Sequence, residues 1–117
     1  MIVFLSSQGS PLAVAFCHSE SDVVATVAWA AALPARPPLL VRAGRHSYEG
    51  YSSGTGAVVI DVSNLTAMAV DSDSDTALFG AGVELVEAYS AVIQANRTFP
   101  GGTCPTVGLA GFVLGGG

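Results

Sequence analysis

The 117-residue sequence has few positive charges. Only four Lys and Arg residues stand against nine Asp and Glu residues, which gives a formal net charge of -5 at pH 7. A protein that binds the phosphates of DNA or RNA needs a patch or stripe of basic side chains. This chain has no such cluster, so its composition argues against nucleic acid as a partner.

The sequence also lacks a long apolar run. The most apolar stretch, residues 23–33, is interrupted by Thr26 and followed by Pro34. It is therefore much shorter than the roughly 20 residues that cross a bilayer as a helix. Residues 1–5 are apolar, but no basic residues precede them and they are too few for a signal-peptide core. We predict no transmembrane segment and no membrane partner, and localisation stays open between cytoplasm and secretion.

Cysteine is scarce as well. The two cysteines, Cys17 and Cys104, form neither a disulfide framework nor the paired spacing of a zinc site. We interpret both as unpaired thiols and Cys17 as a small buried apolar residue. His18 beside Cys17 completes no common zinc pattern, so no metal site is predicted. The glycine motifs of Rossmann and P-loop nucleotide-binding proteins are absent too.

The hydrophobic patterns that are present predict an α+β fold. The predicted elements are a strand at 12–16, a helix at 20–33, strands at 39–41 and 57–61, a hairpin at 68–71 and 76–79, a helix at 83–96 and a glycine loop. Ser19 and Ser21 are candidate N-caps of the first helix, and Pro34 ends it. Asn96 is the candidate C-cap of the second helix. Trp29 is expected in the core.

Two short segments each place one nucleophilic side chain in a glycine-containing turn. Residues 41–50, VRAGRHSYEG, follow the strand at 39–41 and carry His46, and residues 101–111, GGTCPTVGLAG, carry Cys104. Successive backbone N–H groups in such a turn can bind a pyrophosphate, so the first segment is a candidate dinucleotide site. A short helical turn is predicted after Pro105, and its free N–H groups would favour a thiolate at Cys104.

Together the two segments resemble the flavin-attachment segments of the berberine-bridge-enzyme-like oxidases, in the vanillyl-alcohol-oxidase and para-cresol-methylhydroxylase group. The resemblance implies that FAD is bonded through its 8α-methyl carbon to His46 and through ring carbon C6 to Cys104. It implies further FAD-binding residues at Arg42, Ala43, Gly44, Arg45, Ser47, Tyr48, Gly102, Thr106, Val107, Gly108 and Gly111.

Two positions depart from the family pattern. Arg45 stands where many members have a second glycine, and arginine pays more than glycine for a left-handed backbone. Its charge could instead contribute to phosphate binding. Phe112 stands where relatives frequently have histidine, which leaves the role of that position open.

The resemblance also implies a domain organisation. Seven of the 14 glycines lie in residues 101–117, and the chain ends on three of them, an unusually flexible terminus. The glycine distribution therefore predicts an N-terminal fragment, and the resemblance implies a leader at 1–11 and a truncated FAD-binding domain of the para-cresol-methylhydroxylase type at 12–117. The substrate domain and the catalytic base are expected downstream, so no catalytic residue is predicted in this chain and the fragment alone is expected to be inactive.

The implied function is the FAD-binding part of a flavin-dependent oxidase. Relatives oxidise an alcohol, a sugar hydroxyl or an amine by hydride transfer to the flavin, and dioxygen is the usual acceptor. A small-molecule substrate and O2 are thus the expected partners, and the oligomeric state is left open. Two alternatives remain: a non-enzymatic module that binds a nucleotide or a partner, and a flavoprotein that holds FAD without covalent bonds.

Overall fold

The computed structural model describes residues 9–117, so that most of the predicted leader lies outside the described residues. The predicted mixture of helices and strands is confirmed. In chain order the elements are β1 (Ala13–Phe16), α1 (Glu20–Ala32), β2 (Leu39–Arg42), β3 (Val58–Asp61), β4 (Met68–Asp71), β5 (Thr76–Phe79), α2 (Leu85–Gln94) and α3 (Leu109–Leu114). No helix within residues 9–117 is both long enough and apolar enough to span a membrane.

A three-stranded parallel sheet forms the first half of the fold, with β3 between β1 and β2. All four residues of β3 are buried, as expected for the central strand of a parallel sheet, where apolar residues run continuously. The register sets Phe16 of β1 and Arg42 of β2 beside Asp61 of β3. The carboxyl ends of the three strands therefore meet at one edge, from which the segment 41–50 departs.

Helix α1 begins where the sequence predicts, because Ser19 and Asp22 form a capping box. The Ser19 hydroxyl accepts a hydrogen bond from the Asp22 amide (3.2 Å), and the Asp22 carboxylate accepts one from the Ser19 amide (2.9 Å). The prediction that Trp29 lies in the core is wrong, since its side chain is 49% exposed. The apolar residues of α1 lie on all sides of the helix, so their spacing did not indicate which side faces the sheet.

Helix α2 ends close to the predicted residue. Ala95 is the C-cap, and Asn96 follows it with a left-handed φ of 55°. The Asn96 amide donates to the Ile93 carbonyl (2.9 Å) and the Arg97 amide donates to the Val92 carbonyl (2.9 Å). This pair of bonds is the Schellman motif, in which asparagine is a common substitute for glycine.

Helix α3 was not predicted, because the sequence analysis interpreted residues 101–117 as a glycine loop with a helical turn directly after Pro105. Tertiary packing overrides the low helix propensity of glycine here. Leu109 joins a buried cluster with Val83, Leu85 and Ala88. The Leu109 amide also donates to the Val83 carbonyl (2.8 Å), which attaches the start of α3 to the residues before α2.

Candidate cofactor-binding site

The two segments that carry His46 and Cys104 are in direct backbone contact at Gly44 and Gly108. A Cβ atom added at Gly44 would overlap the Gly108 nitrogen and lie 2.7 Å from the Gly108 Cα, and one added at Gly108 would lie 2.7 Å from the Gly44 nitrogen. Only glycine permits so close an approach of two backbones. The residues that follow β2 are thereby joined to those that precede α3.

His46 and Thr106 connect the same two segments through their side chains. The Nε2 atom of His46 lies 2.9 Å from the Thr106 hydroxyl, and the tautomer of the ring decides which atom donates. When Nε2 carries the hydrogen, His46 donates to Thr106 and the free lone pair is on Nδ1. The His46 residue is exposed. Its ring is therefore oriented by a hydrogen bond and still accessible to a ligand.

A cavity of about 620 Å³ lies between the segments, within the range of pockets that bind small molecules. Ten of the thirteen predicted cofactor residues line it: Ala43, Gly44, Arg45, His46, Ser47, Tyr48, Cys104, Val107, Gly108 and Gly111. The lining also includes residues that were not predicted, namely Val41, Tyr51, Ser52, Phe112 and Gly115. Of these, Phe112 and Gly115 belong to α3 and its C-cap, which the sequence analysis missed.

The two cysteines differ in the way the sequence predicts. Both are free, Cys17 is buried and Cys104 is exposed. Cys17 packs with Ile60 and Val62, and Cys104 faces the cavity. The helical turn expected directly after Pro105 is instead a short turn, and α3 begins only at Leu109. A helix N-terminus next to Cys104 therefore does not form. Within residues 9–117, no three His, Cys, Asp or Glu side chains are grouped so that they could hold a metal ion.

Gly102 and Thr106 support the site without lining the cavity. The Tyr89 hydroxyl donates to the Gly102 carbonyl (2.8 Å), and a Cβ at Gly102 would lie 3.3 Å from a Leu85 methyl group. The residues that lead to Cys104 are thus held against α2. Thr106 contacts the site through His46, as described above.

Arg42 and Arg45 both bind one buried carboxylate, Asp61, which the sequence analysis missed. The Asp61 Oδ2 atom lies 2.8 Å from Arg42 Nε and 3.1 Å from Arg45 Nη2. Arg42 does not line the cavity, whereas Arg45 does. A carboxylate at the end of a buried apolar strand needs charged or hydrogen-bonding partners. The position of Asp61 directly after the apolar residues 57–60 was therefore the signal in the sequence that it has such partners.

The remaining oxygen of Asp61 is bonded to Ser63. The Ser63 amide (3.0 Å) and hydroxyl (2.5 Å) both donate to Asp61 Oδ1. Burial by itself raises the pKa of Asp61, but the hydrogen bonds from Ser63, Arg45 and Arg42 outweigh it and lower the pKa to about 2. Asp61 is therefore ionised and fully paired at neutral pH.

The backbone around Arg45 offers donors to an anion. Arg45 has a left-handed φ of 62°. The amide N–H groups of Gly44, Arg45 and His46 have no hydrogen-bond acceptor within the part of the chain that the structure describes. Free N–H groups in succession around a left-handed residue are typical of backbone nests that bind phosphate. The loop beside the cavity therefore fits a phosphate-containing cofactor.

Comparisons with known proteins agree with such a cofactor. The sequence model of a family described as FAD binding domain matches residues 11–117. The chain is 39% identical over 113 residues to the FAD-linked oxidoreductase YgaK of Bacillus subtilis, covering 97% of this chain and 25% of that protein. It is 40% identical over 110 residues to berberine bridge enzyme-like 5 of Arabidopsis thaliana, covering 91% and 20%.

The fold is also similar to solved structures. The berberine-bridge-enzyme-like protein 1 of Physcomitrella patens superimposes with a TM-score of 0.83 and 34% sequence identity, over 92% of this chain and 23% of that one. The chain thus spans a quarter or less of the length of these three relatives.

Proposed function

The chain belongs to the FAD binding domain family, and we propose that the cavity between segments 41–50 and 101–111 holds FAD through covalent bonds to His46 and Cys104. One observation carries the proposal: a nucleophilic imidazole and a nucleophilic thiol, 58 positions apart in the sequence, line the same cavity of about 620 Å³. Both residues are exposed, so that each is accessible to a cofactor.

His46 is suited to the first bond. With Nε2 donating to Thr106, the lone pair on Nδ1 is free to attack, and the hydrogen bond limits rotation of the ring. The neutral imidazole is the nucleophilic form of a histidine side chain. Cys104 reacts as the thiolate and lies in the lining of the same cavity.

The free amides of Gly44, Arg45 and His46 are proposed to bind the pyrophosphate of the cofactor. Their N–H groups have no acceptor in the described residues, and all three residues line the cavity. Backbone donors suit a pyrophosphate because they are fixed in place before the ligand binds. Gly44 and Gly108 keep the two segments close enough to share one ligand.

The whole protein is proposed to be an FAD-dependent oxidoreductase that oxidises an alcohol, a sugar hydroxyl or an amine, with dioxygen as the acceptor. When bound, FAD supplies the hydride acceptor of this two-electron oxidation. Each bond would replace one hydrogen on a flavin carbon; at His46 the bond would form at Nδ1 and the imidazole would lose the hydrogen of Nε2, and at Cys104 the side chain would lose its thiol hydrogen. Dioxygen is proposed to take up both hydrogens with their electrons, as hydrogen peroxide. The catalytic base and the substrate domain are proposed to lie outside this chain, since the two curated relatives compared above are about four to five times as long.

Peptide mapping of the full-length protein tests this proposal. The purified protein is precipitated with acid, digested with a protease and analysed by mass spectrometry. We expect one species in which the His46 peptide and the Cys104 peptide are joined through a single FAD. The peptide with Cys17 and His18 is the internal control and should be unmodified.

Two results would contradict the proposal in different ways. Flavin that stays in the acid supernatant, with unmodified His46 and Cys104 peptides, would establish FAD held without covalent bonds. A colourless protein without flavin absorbance would instead favour the non-enzymatic binding module.

A further inference from the structure

We propose that Asp61 is a positioning residue for His46: its ion pair with Arg45 holds the left-handed backbone of Arg45 and thereby sets the direction in which His46 leaves the sheet. The proposal rests on the proposed bond between His46 and FAD. It assigns a role to a buried carboxylate that contacts neither the cavity nor His46 directly.

Asp61 is a rigid anchor because of its place in the sheet. It ends β3, the central and wholly buried strand, and its own side chain is fully buried. Four hydrogen bonds fix the carboxylate: two come from Ser63 and one each from Arg42 and Arg45. A carboxylate with hydrogen bonds to both oxygens is fixed in one orientation. The Arg45 guanidinium can therefore pair with Asp61 only from one position.

Arg45 carries the constraint from Asp61 to His46. Its φ of 62° lies in the left-handed region, where a residue with a Cβ atom is disfavoured. The Nη2 atom of Arg45 lies 3.1 Å from Asp61 Oδ2. This ion pair offsets the free-energy cost of the left-handed backbone conformation at Arg45. His46 is the next residue, and a change in the backbone angles of Arg45 would turn the imidazole away from Thr106 and from the cavity.

Cys104 is held by different contacts. The Val86 amide donates to the Pro105 carbonyl (3.0 Å), and the Leu85 amide donates to the Val107 carbonyl (3.0 Å). Within residues 9–117, Asp61 has no hydrogen bond or ion pair with the Cys104 segment. Loss of the Asp61 anchor should therefore affect the bond at His46 more than the bond at Cys104.

The test compares variants of the full-length protein during loading of the apo form with FAD. Asp61→Asn and Arg45→Ala remove the ion pair and keep a Cβ atom at residue 45. Arg45→Gly removes the ion pair and the Cβ atom. Arg36→Ala is the matched control, since Arg36 is an exposed arginine with a positive φ of 42° and no ion pair within the described residues. Mass spectrometry of the His46 and Cys104 peptides follows the two bonds separately over time.

Arg45→Ala and Asp61→Asn should slow the bond at His46 by about fivefold or more, the factor that corresponds to about 1 kcal/mol of left-handed backbone cost. The bond at Cys104 should form at the wild-type rate. Arg45→Gly should recover part of the His46 rate, because glycine adopts the same φ without that cost. A residue needed only for folding would not produce this selective loss or this recovery.

Four outcomes would overturn the inference. Equal slowing at His46 and Cys104 would mean a general structural role, and a wild-type rate in Arg45→Ala would mean that the ion pair does not position His46. Identical rates in Arg45→Ala and Arg45→Gly would mean that the left-handed backbone of residue 45 does not limit the bond at His46, and this result holds even if Asp61→Asn fails to fold. Wild-type protein without flavin on His46 would overturn the proposed function itself, and the positioning role with it.

Discussion

Replacing Gly44 by alanine should separate the two segments that line the cavity. The added Cβ would overlap the Gly108 nitrogen, lie 2.7 Å from the Gly108 Cα and lie 3.2 Å from the Thr106 carbonyl oxygen. All three atoms belong to the backbone, so no side chain can rotate away and one segment must move. Forcing a methyl group into a site this tightly packed costs about 1–3 kcal/mol.

Amide hydrogen exchange of the full-length protein measures the loss of local stability in the two segments that meet at Gly44. When a segment opens locally, a loss of about 1–3 kcal/mol makes its amides exchange about 5- to 150-fold faster. We expect this acceleration in peptides that cover residues 42–48 and 104–109. The atoms nearest to an added Cβ at Gly44 belong to Gly108 and Thr106, so peptides that cover β1 should exchange as in the wild-type protein.

Gly111→Ala is the matched control. Gly111 lines the same cavity, but a Cβ there would meet no atom within 4 Å. Alanine should also favour helix α3 by about 0.5–1 kcal/mol. Exchange near Gly111 should therefore be unchanged or slower. Equal acceleration in both variants, or no acceleration in Gly44→Ala, would refute the claim that the Gly44 and Gly108 contact joins the segments.

Three further predictions follow from single contacts. Between about pH 5 and about pH 2, the unfolding free energy of the wild-type protein should fall about 2 kcal/mol more than that of Asp61→Asn. The folded-state pKa of Asp61, about 2, lies below its ordinary value of 3.8, so the stabilisation that the ionised carboxylate contributes is lost as pH falls. Urea titrations at each pH check this. Thr106→Val should slow bond formation at His46 about fivefold by removing one hydrogen bond, and Thr106→Ser should not, as time-resolved peptide masses would report. Tyr89→Phe removes the hydrogen bond to the Gly102 carbonyl and should make amides at 101–104 exchange about fivefold faster.

Local patterns predicted the elements of this fold well. The capping box at Ser19 and the left-handed residue at Asn96 determine helix ends through contacts within a few residues, which a sequence displays directly. The family was identified from the two segments around His46 and Cys104, and the match of the FAD binding domain family to residues 11–117 confirms it. The roles of the individual site residues stay predictions.

Non-local packing accounts for what the sequence did not reveal. The pairing of β3 between β1 and β2 brings Arg42 beside Asp61, although 19 positions separate them. Helix α3 depends on a cluster that Leu109 forms with residues near α2, and its glycine-rich composition concealed it. The position of Asp61 at the end of an apolar strand indicates that it needs a partner, but only the strand register shows that Arg42 is one of its partners.

The most direct test of the central claim is the intact mass and visible absorption of the full-length protein and of its His46→Ala and Cys104→Ala variants, alone and combined. We predict a wild-type mass increased by one FAD, the same increase in each single variant, and no covalent flavin in the double variant. His18→Ala and Cys17→Ala are the matched controls and should carry flavin as the wild type does. An unmodified wild-type mass without flavin absorbance would contradict the account.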